Sequence, residues 1–162
     1  VGSEMCIRDS KCMAIEDFDY IPESYDIVIS SLTFHYLELF PDICKKVHRC
    51  LTPGGTFVFS VEHPVFTAYG SQDWFYDKQR NILHWPVDRY FSEGKREAIF
   101  LGENVTKFHK TLTTYVNGLI QNGFEITGLV EPEPDKTLLD SIPGMRDELR
   151  RPMMLIIAAI KK

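Results

Sequence analysis

The chain has 162 residues, 44% of them apolar, and a formal net charge of −5. That length makes one domain, and that composition fills a core. The acidic balance and the absence of any Lys/Arg block argue against nucleic acid as a partner; the absence of a bilayer-length apolar run or a basic amphipathic stretch argues against a membrane.

No Lys/Arg-led apolar segment opens the sequence, so no secretory signal is legible. Cys6, Cys12, Cys44 and Cys50 lack Cys-x-x-Cys spacing. Reduced, packing cysteines in a cytoplasmic protein are expected, with no metal site. Residues 1–10 show no period and read as a tag or an out-of-frame remnant, outside the fold. Lys11–Ser24 reads as a strand end and a polar loop. Tyr25–Ser31 carries three consecutive β-branched apolar residues, which suits a strand buried on both faces, as in a parallel sheet. Pro41-Asp42 opens a helix, and Ile43, Val47, Cys50 and Leu51 form its apolar stripe. Leu51-Thr52-Pro53-Gly54-Gly55 turns the chain into a second strand, Thr56–Val61. Strand, helix, strand at this spacing is a right-handed crossover unit.

Tyr-Asp-Ile-Val-Ile-Ser-Ser-Leu-Thr-Phe-His-Tyr, a helix, then Leu-Thr-Pro-Gly-Gly-Thr-Phe-Val-Phe-Ser resembles the class I S-adenosylmethionine-dependent methyltransferases. The match falls on their fourth strand, fourth helix, Pro-Gly-Gly turn and fifth strand. The resemblance implies S-adenosylmethionine as cofactor. It places Ala14, Ile15 and Glu16 in the loop that meets the adenine, although Ala14 replaces a frequent Asp. It also places Ser30 and Ser31 near the methionine part of the cofactor. Ligands of open α/β sheets bind at the carboxyl ends of the strands. His35 and Tyr36 follow one such end, and Glu62 and His63 follow the other. His35, Glu62 and His63 are therefore candidate catalytic groups, able to take a proton from an acceptor. A packed His35 and a structural Glu62–His63 link are the competing readings.

Residues 64–106 are aromatic-rich and broken by Gly and Pro. A loop this long is a lid or carries short elements of its own, and such walls suit a small-molecule pocket. The resemblance implies an acceptor-binding insertion here, with Tyr36, Trp85 and Tyr90 as lining residues. Thr106–Asn122 reads as an amphipathic helix with stripe Phe108, Leu112, Tyr115, Val116, Leu119 and Ile120. His109 and Thr113 share its other face and are further lining candidates. Phe124–Val130 reads as a strand and Leu138–Arg151 as a short polar helix. Met153–Ile160, apolar without alternation, reads as an interior strand covered on both faces. In the family, the last strand inserts antiparallel between the fifth and sixth.

A Gly-x-Gly-x-Gly turn and the acid that would hold the ribose are not found. The expected fold is thus a partial Rossmann-like methyltransferase sheet, with the first strands missing and an antiparallel C-terminal strand. The expected activity is methyl transfer to a small-molecule acceptor by the intact protein. The N-terminal segment that would complete it is expected as the missing partner, and this chain alone is expected to be inactive. Two alternatives stay open: a nicotinamide-dependent Rossmann oxidoreductase fragment and a non-catalytic partner domain.

Overall fold

The computed structural model describes residues 10–162, so the reading of residues 1–9 lies outside the described residues. A 3-10 turn at Ile15–Asp17 leads to strand β1 (Tyr25–Ser31) and a second 3-10 turn at Phe34–Tyr36. Helix α1 (Phe40–Cys50) follows, with Pro41 in its first turn and Asp42 at its positive end. Strand β2 spans Leu51–Glu62. The Gly-Gly turn survives as a bulge inside that span: Tyr25 pairs with Leu51, but Ile27 pairs with Thr56. Gly54 takes φ 77° there, a left-handed conformation that side chains resist.

Helix α2 (Pro64–Ala68) and two hairpins occupy the expected insertion: β3 (Phe75–Tyr76) with β4 (Ile82–His84), and β5 (Gly94–Phe100) with β6 (Glu103–His109). Helix α3 (Leu112–Gln121), β7 (Phe124–Val130) and β8 (Met154–Lys161) complete the order. The main sheet runs β1-β2-β8-β7. β1 and β2 are parallel, and β8 is antiparallel to both β2 and β7. The interior antiparallel place expected for the last strand is therefore the observed one. An all-parallel nicotinamide-binding sheet has no such strand.

One face of the sheet is sealed. Phe57, Phe59 and Val61 of β2 and Leu155, Ile157 and Ala159 of β8 meet Phe40, Ile43 and Val47 of α1 and Tyr115 and Leu119 of α3. Phe34, Phe40, Phe59 and Tyr115 pack ring to ring at centroid distances of 4.9–6.2 Å. Gly118 lets α3 lie against α1, since a Cβ there would sit 3.2 Å from the Phe40 ring.

Four expectations need correction. β1 is not buried on both faces: Ile27 and Ile29 are 61% and 73% exposed. β8 likewise buries alternate residues only. The reason is common to both strands, because among the described residues α1 and α3 cover one face and β2 alone pairs with β1. The helix expected over 106–122 begins only at Leu112. Residues 106–109 are instead zipped residue by residue to β5, Thr106 opposite Glu97 through His109 opposite Gly94. That ladder overrides the helical period, and Thr111 caps the helix by accepting the Thr114 N–H. The helix expected over 138–151 is a run of turns ending in a 3-10 stretch, Met145–Arg150. Pro143 and Gly144, the latter at φ 81°, interrupt it.

Candidate active site

The carboxyl ends of β1 and β2 lie side by side, with Ser31 opposite Ser60. Two residues beyond them take left-handed backbone. Leu32 leaves β1 at φ 51°, its N–H donating to Ser60 O at 2.9 Å, and Gln72 also sits at φ 51°. Side chains resist that region, so the surroundings hold both residues there.

Along β1 runs an open trough of about 660 Å³. Met13, Ile15, Phe18, Ile27 and Ile29 line its apolar length, and Ser30, Ser31 and Thr33 add hydroxyl-bearing residues at the strand's carboxyl end. Of the expected cofactor residues, Ile15, Ser30 and Ser31 thus share one surface. Ala14 and Glu16 do not line it. Glu16 faces the α1 side, and its carbonyl accepts a bond from Lys46 Nζ at 2.9 Å. An apolar length ending in hydroxyls fits the adenine and the polar tail of a nucleoside cofactor. Among the described residues no carboxylate lines the trough to hold ribose hydroxyls.

Beyond the β2 end stands a buried polar ring. Lys107 Nζ donates to Glu62 Oε1 at 2.6 Å and to Gln72 Oε1 at 2.7 Å, and Gln72 Nε2 donates to Glu62 Oε2 at 2.8 Å. Side-chain exposure is 2% for Lys107 and 11% for Glu62. The Phe100 and Tyr36 rings lie 5.5 and 6.0 Å from the same ammonium. Phe100 reaches it from the hairpin tip, where Leu101 and Gly102 both take positive φ, 53° and 85°. Two consecutive left-handed residues make the tight turn that suits a twisted hairpin.

His35 is 2% exposed and lies against this ring. Its Nδ1 accepts the Glu62 backbone N–H at 3.3 Å. Burial pushes its pKa down to about 4, against the opposing pull of Glu62. His35 is therefore neutral at pH 7. Its neighbour turn is pinned by Lys110, whose buried ammonium donates to the carbonyls of Phe34, Leu37 and Phe108. Burial lowers the Lys110 pKa to about 8.

The remaining expected site residues serve elsewhere. His63 Nδ1 accepts the Val65 N–H and caps α2, while its Nε2 meets Glu131 at 2.8 Å. No direct bond joins it to Glu62, so the expected Glu62–His63 unit is replaced by Glu62–Lys107. Trp85 stacks on Phe66 at 5.0 Å, with the Arg151 guanidinium 4.2 Å from its ring and Trp74 edge-on. That clasp ties the insertion to the segment entering β8. Tyr90 accepts the Leu112 N–H on its hydroxyl and the His109 Nε2–H on its carbonyl. His109 lies on β6, not on a helix. Its Nδ1 is 2.8 Å from the Thr67 hydroxyl, so both ring nitrogens are spent inside the fold. Thr113 is exposed on α3 and does not share a face with His109.

Lys107 and Gln72 carry no signal in the sequence, and Phe100 is only one of the insertion's many aromatics there. Strand β6 alternates only in burial, Lys107 and His109 being buried and Thr106 and Phe108 partly so. Because its inward residues are polar, no period-two hydropathy marks it in the sequence.

The methyltransferase-domain family model matches residues 3–59. A crystal structure from Listeria monocytogenes, assigned as an S-adenosylmethionine-dependent methyltransferase, is 55% identical. The match covers 93% of this chain and 67% of that one, with a TM-score of 0.87. A second such structure, from Mesorhizobium loti, is 36% identical over 92% of this chain and 68% of its own, with a TM-score of 0.82. An uncharacterized protein of Haemophilus influenzae is 32% identical over 155 residues, and this chain spans 59% of its length. The chain belongs to the class I S-adenosylmethionine-dependent methyltransferases, and S-adenosylmethionine is the cofactor of that family.

Proposed function

We propose that this protein transfers the methyl group of S-adenosylmethionine to a small-molecule acceptor held at the carboxyl edge of β1 and β2. The observation that carries the reading is the juxtaposition there of a nucleoside-sized trough and a buried Lys107–Glu62–Gln72 ring. Ile15 and Met13 pack on the adenine, and Ser30, Ser31 and Thr33 meet the polar tail. The bound cofactor supplies an electrophilic methyl carbon on a sulfonium. The protein's share is placement: the acceptor is held in line with that carbon, between Tyr36 and Phe100, and water is kept out. Glu62 is the group placed to take the acceptor's proton, and His35 fixes the Glu62 backbone beneath it.

The trough is one wall of a cleft. Exposed Ile27 and Ile29, an edge of β1 that no described residue pairs with, and the lack of a ribose-binding acid among the described lining residues support a further segment that pairs with β1. That segment brings the Gly-rich turn and the acid. Residues 10–162 alone then bind the cofactor feebly. Calorimetry decides: the 162-residue chain should show no micromolar binding of S-adenosylmethionine, and the full-length protein should. Micromolar binding by the short chain overturns the half-cleft reading.

A further inference from the structure

The ring at the β2 end has bonding capacity left over. Lys107 carries three N–H groups, of which two go to Glu62 and Gln72. Among the described residues the third meets only the faces of Phe100 and Tyr36. Each Glu62 oxygen accepts one bond and keeps room for another. Donor and acceptor capacity therefore stand side by side, under aromatic walls. The formal charges of Lys107 and Glu62 cancel. A charged acceptor group pressed against them would leave a net charge in a desolvated place, which is costly. A group that both donates and accepts, and carries no charge, leaves nothing unpaired.

We infer that this ring sets the acceptor class: an uncharged, planar compound bearing a hydroxyl, such as a phenol or an enol. The inference rests on the methyl-transfer reading above. The hydroxyl oxygen accepts from Lys107, and its proton is donated to Glu62. As the new O–CH₃ bond forms, the S–C bond breaks and its electron pair stays on sulfur. The hydroxyl proton passes to the Glu62 carboxylate, which returns it to water once product leaves. Lys107 lowers the charge building on the oxygen while Gln72 holds the carboxylate in place.

Three probes that share a ring and differ in charge test this on the full-length protein: phenol, benzoate and benzylamine, titrated by ligand-observed NMR. Wild type should bind phenol about tenfold more tightly than either ion. Lys107→Met leaves Glu62 alone and should move the preference about tenfold toward benzylamine; Glu62→Gln should move it as far toward benzoate. Preferences that stay put in both variants overturn the inference. Where a single variant fails to fold, the neutral pair Lys107→Met with Glu62→Gln serves. It should still reject both ions and lose about fivefold in phenol affinity. Unchanged phenol affinity there overturns the inference too. S-adenosylmethionine binding, measured on the same samples, separates the two readings. Preferences that follow the variants in a protein that binds no cofactor support the ring as a ligand site and sink only the methyl-transfer reading.

Discussion

Apolar residues stand on both faces of the sheet and meet opposite fates. On the sealed face, Phe57, Phe59, Leu155, Ile157 and Ala159 are essentially removed from solvent beneath α1 and α3. On the other face, Ile27, Ile29, Val58, Ile156 and Ile160 remain partly or largely exposed. β2 marks the open face with Thr56 and Ser60, but β1 and β8 are at least as apolar on that face as on the sealed one. In those two strands apolar content alone does not say which face is covered. Cover is supplied by other elements, and here only one layer of them lies among the described residues.

The largest expected effect is on the sealed face. Phe59→Ala removes a ring that touches Phe34, Phe40 and Tyr115, and should cost about 3–5 kcal/mol in urea unfolding. A loss below about 1 kcal/mol would mean that the aromatic cluster is not the core. Next comes acid, which probes the carboxyl edge where the faces meet. The His35 pKa is depressed to about 4 from 6.5, so the unfolded chain binds the proton before the folded chain does. The contribution is therefore complete above pH 6.5 and disappears as pH falls through about 4. His63 and His109 shift the same way through burial. From His35 alone, up to roughly 3 kcal/mol should vanish over that window, and His35→Asn should flatten that part of the profile. The smallest effect belongs to the bare face: Ile29→Ala should change the stability of this chain by less than about 0.5 kcal/mol. In a longer protein whose added segment covers β1, the same substitution should cost about 2 kcal/mol or more. Equal costs in both would erase the contrast between the faces.

Much of the architecture was legible. The run Tyr25–Ser31, the Pro-opened helix and the Gly-Gly turn fixed the first strand pair, and the unalternating stretch before Lys161 marked an interior strand. Ile15, Ser30 and Ser31 line the trough and Tyr36 and Glu62 stand at the ring; all but Ile15 lie at or just beyond the carboxyl end of a strand, which can be read locally. Lys107 could not be found that way. The stripe from Phe108 to Ile120 continues the period of α3 backward across residues that β5 actually claims, and strand pairing is a non-local fact. Trp85 and Tyr90 misled for a different reason. Aromatic density signals a pocket wall or a fastening equally well, and these two fasten: one to Arg151, the other to the start of α3.

The Arg151 clasp has a practical consequence. Trp74 and Trp85 are the chain's two tryptophans, and both rings lie within 5.1 Å of that guanidinium. Intrinsic fluorescence of this chain therefore comes from one corner of the molecule. It reports the insertion's grip on the segment before β8 and is nearly blind to the aromatic core. Circular dichroism follows the sheet itself, so comparing the two signals during denaturation separates release of the insertion from collapse of the strands beneath it.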